Sequence, residues 1–377
     1  MVDRTKIVRG KDLVHIMERL APPGLAEEWD NSGWQVGDPD AVVQKVLLAL
    51  DVTPEVVGEA EQQDVQLIIS HHPMLLKGIK AVRRDHPAGS LFFRLIRAGI
   101  GVYAAHTTLD SADGGVNDVL AGVLGLEQTE VLHPVQYERL LKLVVFVPVT
   151  HADAVREALG RAGAGYIGHY SRCSFNVRGT GTFCPDEGTT PFIGVAGRLE
   201  QVEEVRIETI IKEKATSRVV QAMLDVHPYE EVAYDLYPLE NKGVARGLGR
   251  LGRLPRVAVL GDFARTVQKV LQAGCLRYGG APGTKVRRIA VCGGSGGDMW
   301  SLARQKGADV LVTGDVRYHA ARDMLAAGIC FIDAGHFATE RAVLPALREQ
   351  LTAALAEAEL AVHIDIATTE AEPWAGL

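Results

Sequence analysis

Short apolar runs alternate with segments of helical period at both ends of this chain, and that alternation constrains its fold more than any other feature. In the first third, "KVLLALDVT" (45–53) reads as a buried strand and "TPEVVGEAEQQ" (53–63) as a helix, with Thr53 as N-cap and Pro54 at its first position. "VQLIIS" (65–70) and "IGVYAAH" (100–106) read as strands, and "GSLFFRLIRAG" (89–99) and "GGVNDVLAGVLGL" (114–126) as helices. Upstream, Leu13, Ile16, Met17 and Leu20 recur at helical spacing. Strand, helix, strand predicts a parallel sheet covered on both faces. The texture returns in the last third, with strands expected in "RRIAVC" (287–292), "ADVLVTGD" (308–315) and "ICFIDAGH" (329–336). "FATERAVLPALREQLTAAL" (337–355) is expected as one long helix.

Between residues 138 and 240 the pattern is different. Strand, helix, two strands, helix and strand follow one another over about a hundred residues, the order of a ferredoxin-like unit. The glycine- and arginine-rich "NKGVARGLGRLG" (241–252) then reads as a junction. The expected organisation is an α/β body in two parts, 1–135 and 245–377, interrupted by a small inserted α+β domain, 136–244.

At 377 residues the chain is too long for one ordinary domain, which agrees with this division. A net charge of -7 offers no basic excess for a phosphate backbone, so nucleic acid is not an expected partner. The apolar runs have strand length, not the length of a membrane helix, and the charged opening segment has no signal-peptide core. A cytoplasmic protein without a membrane partner is expected. The five cysteines are odd in number, widely spaced and without CxxC, which supports neither a disulfide framework nor a zinc knuckle. Cys292 and Cys330, in apolar strand runs, read as buried inert thiols.

Chemistry concentrates just past the strands. "LIISHHPMLLK" (67–77) ends an apolar run with His71 and His72, "AAHTTLD" offers His106 and Asp110, and "DAGHFATE" offers His336 and Glu340. In open α/β sheets, ligands sit outside the carboxyl ends of the strands. His336 and Glu340, four apart at a helix start, share one face. His106 and Asp110 have the same spacing, although Thr107 and Thr108 favour a turn before any helix. Adjacent histidines splay, so His71 and His72 would serve two ions or bracket a shared site. An isolated histidine is ordinarily structural, the reading given to His86, His133, His151 and His319, and an i,i+4 His/Glu pair is ordinarily a surface pair. Three such elements at three strand ends point instead to a metal site. "CGGSGGD" (292–298) lacks the third glycine of a dinucleotide fingerprint and the lysine of a P-loop, so Gly293 to Gly297 reads as a tight turn. Asp315, in "VTGDVRYH", would either support the site or cap the next helix. No GxSxG elbow is present.

Five blocks, "EEWDNSGWQVGD", "SHHPMLLKGIK", "AAHTTLDSADGGVND", "VTGDVRYHAARD" and "DAGHFATE", together resemble the GTP cyclohydrolase 1 type 2 homologue family, also called Nif-three-like. The resemblance covers about residues 5–130 and 245–370. It implies a Nif-three-like α/β body that binds two divalent metal ions in a cleft and assembles as a toroidal homohexamer. By that resemblance the ligands are His71, His72, Asp110, His336 and Glu340, with Glu340 bridging, and His106 lies at the site. "DVHPYEEVAYDLYPLE" resembles the end of the PII-like domain inserted in longer bacterial members. The activity implied is metal-dependent hydrolysis, opening of the GTP purine ring by water, with His106 as the acid or base. Imidazole and carboxylate ligands without thiolate fit Zn, Mn, Fe or Co. The alternative is a non-catalytic hexamer that senses or delivers metal or binds a partner.

Overall fold

The computed structural model describes residues 6–375. The chain forms two compact units, Met1–Gln136 together with Arg246–Leu377, and Tyr137–Ala245.

The larger unit contains two sheets. The first has five strands in the order Gly33–Val36, Gly101–Ala104, Leu67–Ser70, Lys45–Ala49, His363–Ile366. The last four are parallel, and Gly33–Val36 pairs antiparallel at the edge. Leu67–Ser70 and Gly101–Ala104 are buried at every position, so they read as unbroken apolar runs rather than alternating ones. The helix Val343–Glu357 seals this sheet. Its Leu344, Leu347, Leu351 and Leu355, one helical stripe, pack with Leu48, Leu67 and Ile69 in one core. Burial of each leucine contributes about 1.5–3 kcal/mol.

The second sheet has six strands in the order Arg277–Gly279, Cys330–Asp333, Val310–Thr313, Lys285–Val291, Ala245–Val259, Glu127–Tyr137. Its centre is parallel, as expected, and Arg277–Gly279 and Ala245–Val259 pair antiparallel to it. The sequence expectation of a junction at 241–252 is corrected here, because most of that segment belongs to the long strand Ala245–Val259. Its glycines serve close approach rather than looseness. A Cβ on Gly247 would lie 2.1 Å from the His133 carbonyl oxygen, and Gly249 has φ +65°. Arg250, just after them, is buried, donating to Asp118 at 2.8 Å and to the Gly247 carbonyl at 2.8 Å.

Two helix expectations also change. The segment 337–355 is not one helix but His336–Arg341 followed by Val343–Glu357. Pro345, early in the second helix, has no N–H to donate back to Arg341. Conversely, Thr107–Ser111 is a short helix where a turn was expected. Its start is held from a distance by Asp30, whose Oδ2 accepts from the Thr107 N–H at 3.1 Å and the Thr107 hydroxyl at 2.6 Å.

The smaller unit has one sheet, ordered Ser174–Phe183, Glu200–Lys212, Leu140–Pro148, Tyr234–Pro238, with every neighbouring pair antiparallel. The helices Ala152–Arg161 and Thr216–Leu224 complete the succession strand, helix, strand, strand, helix, strand. Val145, Val147, Val205 and Ile207 of the sheet pack with Val155, Leu159, Val219 and Met223 of the helices. Among the described residues no helix is long and apolar enough to cross a membrane.

Candidate metal centre

Four histidines and two carboxylates of the larger unit meet beyond the carboxyl ends of its parallel strands. His71 and His72 follow Leu67–Ser70 and prolong its pairing, their N–H groups donating to the carbonyls of Ala49 at 3.0 Å and Leu50 at 2.8 Å. The backbone of both is thereby fixed before either ring makes a contact. His106 follows Gly101–Ala104, Asp110 sits on the short helix after it, and His336 and Glu340 share a face of His336–Arg341. The first sheet thus supplies four of the six residues and the second sheet the other two.

Each imidazole is steadied through Nδ1. That N–H donates to the Ala105 carbonyl in His71 (2.9 Å), to Asp51 Oδ1 in His72 (2.9 Å), to Asp30 Oδ1 in His106 (2.8 Å) and to Asp315 Oδ2 in His336 (2.8 Å). All four rings are therefore left with Nε2 as the free donor atom. A carbonyl or carboxylate behind each imidazole is the usual support of a metal-ligating histidine. Asp315 resolves as such a support, at φ +53°, and not as the cap of Tyr318–Ala326, whose N-cap is Arg317.

The Nε2 atoms converge on Glu340. His336 Nε2 lies 3.2 Å from its Oε1, His72 Nε2 3.1 Å from its Oε2 and His71 Nε2 3.7 Å from its Oε1. His71 Nε2 is also 3.6 Å from Asp110 Oδ1, and the Nε2 atoms of His72 and His336 face each other at 3.3 Å. Despite these approaches, His71 Nε2, Asp110 Oδ1 and Glu340 Oε2 make no aligned hydrogen bond although all are buried. The 3.1 Å approach of His72 to Glu340 Oε2 is close but misaligned. Buried polar atoms are rarely left so. A cation between them would satisfy all three, so the residues present fit a metal.

Three sets of donor atoms lie within 4.8 Å of one another: His71, Asp110 and Glu340; His72, His336 and Glu340; and His71, His72 and His106. These His and carboxylate clusters can bind a metal ion. All six residues expected from the sequence are brought together, and Glu340 belongs to two of the sets.

The charges are consistent with a site made for cations. Burial alone would lower the pKa of His72, but Asp51 and Glu340 raise it to about 10. Burial likewise opposes protonation of His336, and Glu340 and Asp315 lift it to about 9. Glu340 is buried, which would raise its pKa, yet His71, His336 and His72 hold it well below the usual carboxylate range. Asp110 is pushed up to about 6 by burial. Protons on imidazole thus stand where positive charge is wanted.

The Gly293 to Gly297 loop closes the cluster. Three of its five N–H groups are spent inside the protein: Gly293 donates to Asn117 Oδ1 (2.9 Å), Gly294 to Thr339 Oγ1 (3.0 Å) and Gly296 to Thr313 Oγ1 (2.9 Å). It is a tight turn, as expected, and not a phosphate cradle. Gly294 has φ +62°, and a Cβ there would lie 2.2 Å from Glu340 Oε1. Asp30, Asp51, Asn117 and Thr339 were not singled out as site residues from the sequence. Asp30, Asn117 and Thr339 do stand in the quoted blocks "EEWDNSGWQVGD", "AAHTTLDSADGGVND" and "DAGHFATE". A cleft of about 580 Å³ opens over the cluster, with His72, His106, Asp110, His336 and Glu340 in its wall and Trp29 beside them. Cys292 also lines it, its thiol pushed up to about 12 by burial and therefore inert at neutral pH.

Fold and cluster together define a mixed α/β protein with a candidate metal centre at the strand ends of two sheets. Residues 8–373 match the family described as Duf34/NIF3 (NGG1p interacting factor 3), and the chain belongs to that family. It is 46% identical over 369 residues to a protein of Halalkalibacterium halodurans named GTP cyclohydrolase 1 type 2 homolog, covering 98% of this chain and 99% of that one. A Bacillus subtilis protein of the same name is 42% identical over 369 residues, with 98% and 99% covered. Among solved structures, a Bacillus cereus protein related to NIF3 superposes with a TM-score of 0.89 at 46% identity, covering 99% of this chain and 100% of the other. A Staphylococcus aureus protein superposes with a TM-score of 0.75 at 30% identity, covering 98% and 99%.

Proposed function

We propose that the cluster holds two divalent ions and that the chain is a metal-dependent hydrolase. In this reading His71, Asp110 and Glu340 would hold one ion and His72, His336 and Glu340 the other, so that Glu340 would be shared by the two. The observation that carries it is that Glu340 stands in both of these sets, the two of the three that contain a carboxylate. Imidazole and carboxylate donors without thiolate suit Zn, Mn, Fe or Co. When bound, a pair of such ions lowers the pKa of a water and polarises the group it attacks.

This chain's own residues supply the rest. Asp30 holds the His106 ring through Nδ1, leaving Nε2 to take a proton from the attacking water and return it to a leaving nitrogen. Hydrogen bonds from His106, Thr107 and Ser32 outweigh burial and keep the Asp30 carboxyl ionised far below its usual range, so the support persists at any working pH. Trp29, 60% exposed in the cleft wall and edge-on to His106 at 5.6 Å, offers a base an apolar face. The name borne by the relatives brings GTP to this chain as the candidate nucleotide substrate. The same reading makes the protein a cytoplasmic homohexamer in which the smaller unit is a PII-like regulatory insert.

The test is turnover. Metal-stripped protein reloaded with Zn, Mn, Fe(II) or Co is given GTP and other nucleotides, and loss of the purine absorbance is followed. Metal-dependent turnover that vanishes with chelator supports the reading. Two bound ions with no turnover of any nucleotide overturns the hydrolase part of it and leaves a metal-binding hexamer.

A further inference from the structure

The sheet of the smaller unit has a second face, opposite the one its helices cover. Val145, Val147, Val205 and Ile207 point to the helices, so Phe146 and Glu204 point away from them. On that side a cavity of about 400 Å³ is walled by Phe146, Phe183, Phe192, Ile193 and Tyr229, with Glu204 among its lining residues. Such a volume suits a small organic molecule.

Glu204 is only 8% exposed. Its one side-chain hydrogen bond among the described residues is from the Tyr229 hydroxyl to Oε1, at 2.8 Å, and no Lys, Arg or His pairs with it. No lysine or arginine lines the cavity, while Glu230 and Glu231 do. A buried carboxylate without a cation partner is costly unless something brings one. The nearby His227 does not. Its Nε2 donates to the Phe146 carbonyl at 3.0 Å and its Nδ1 accepts from the Tyr229 N–H at 3.1 Å, which fixes the neutral ring. Burial lowers its pKa further.

The sequence makes a place for this carboxylate in the wall. Gly181 has no left-handed backbone requirement, yet a Cβ there would lie 2.2 Å from Glu204 Oε2. Glycine at 181 therefore makes room for the Glu204 carboxylate itself in the cavity wall. Around it, the Phe183 and Phe192 rings stand 5.8 and 6.4 Å from the Tyr229 ring, close enough for one cation to contact several aromatic faces.

We propose that this cavity is a binding site for a small organic cation, an ammonium group on an apolar or aromatic body, with the ammonium on Glu204 Oε2 and the body among Phe183, Phe192 and Tyr229. The site lies wholly within the smaller unit and is independent of the metal reading.

The probe is 2-phenylethylammonium, titrated into the full chain by calorimetry or ligand-observed NMR beside its neutral match 2-phenylethanol and the anion 3-phenylpropionate. The ammonium should bind saturably, about tenfold or more tighter than the alcohol, and the anion should not bind. Glu204→Gln keeps an acceptor for Tyr229 and removes the charge. It should bring the ammonium down to the alcohol and leave the alcohol unchanged. Phe192→Ala, at a half-exposed position, should weaken both. No saturable binding of the ammonium below about 10 mM overturns the proposal. So does equal binding of ammonium and alcohol by the wild-type chain, a readout that does not depend on any variant folding. Equal binding of the ammonium by wild type and a folded Glu204→Gln overturns it too.

Discussion

In the larger unit, four imidazoles and two carboxylates converge, each ring steadied through Nδ1, and three of the cluster's own buried polar atoms are left without an aligned hydrogen bond. In the smaller unit, one carboxylate lies against aromatic rings and accepts from a single tyrosine hydroxyl. Both places bury negative charge, but they ask for different guests. Many convergent donors of fixed direction suit a compact multivalent cation, which rewards coordination number. A lone carboxylate with apolar walls suits a monocation that brings its own hydrophobic body. The supporting groups decide between the two: three outer carboxylates and one carbonyl hold the histidines in one tautomer, whereas at Glu204 the Tyr229 hydroxyl is the one directed contact among the described residues and the phenylalanine rings add none.

The largest effect that would break this contrast concerns proton transfer. If His106 is the acid or base, His106→Ala should lower any hydrolytic rate by about 10²–10⁴-fold while both ions stay bound. Loss of metal with the ring would make His106 a ligand, as its place in the set with His71 and His72 allows.

A smaller effect tests the supports. Asp51→Asn removes the charge behind His72 and should weaken metal binding about 10–100-fold, read by competition with a chelator of known affinity. An unchanged affinity would mean that the outer carboxylates of the larger unit are ordinary surface acceptors.

pH gives a further handle. The pKa of His72 rises from the usual 6.5 to about 10 in the folded, metal-free chain, and that of His336 to about 9. Their protonation stabilises the metal-free fold. The contribution is complete below pH 6.5 and is lost as pH climbs through 9 and 10. Metal binding requires the neutral rings, so its dependence has the opposite sign. Melting of stripped protein should shift down between neutral pH and pH 10 while apparent metal affinity shifts up. Parallel shifts would contradict this assignment.

The smallest expected effect on the metal comes from removing the smaller unit altogether. A chain joining residue 135 to residue 246 through a short Gly/Ser linker should keep both ions and lose binding of 2-phenylethylammonium. Metal loss from a folded, soluble deletion would show that the insert shapes the centre.

The parts of this arrangement that were legible in the sequence are those made by contiguous residues. Strands buried on both faces appear as unbroken apolar runs, and the polar residues that end them, His71, His72, His106 and His336, mark the sheet edge. Glu340 follows by helical spacing. Of their supports the sequence offered only Asp315, as one of two readings; Asp30, 76 residues from His106, and Asp51, 21 residues from His72, were not legible as such. Nothing in local pattern ties such pairs. The strand Ala245–Val259 was hidden because its glycines, which admit a neighbouring backbone, resemble those of a linker. The cavity at Glu204 was hidden for the same reason as the supports, since Phe146, Phe183, Phe192 and Tyr229 meet only in the folded sheet.

The central claim is that Glu340 bridges two ions. Glu340→Gln keeps the size and removes the charge that offsets two neighbouring cations, whose repulsion is strong where the dielectric is low. Elemental analysis of wild type and Glu340→Gln, purified without chelator and combined with anomalous scattering at each metal edge, tests it directly. The account predicts two ions per wild-type chain, one on the side of His71 and Asp110 and one on the side of His72 and His336, with at least one lost from the variant. A single ion in the wild type, or two ions retained at full occupancy in Glu340→Gln, would contradict it.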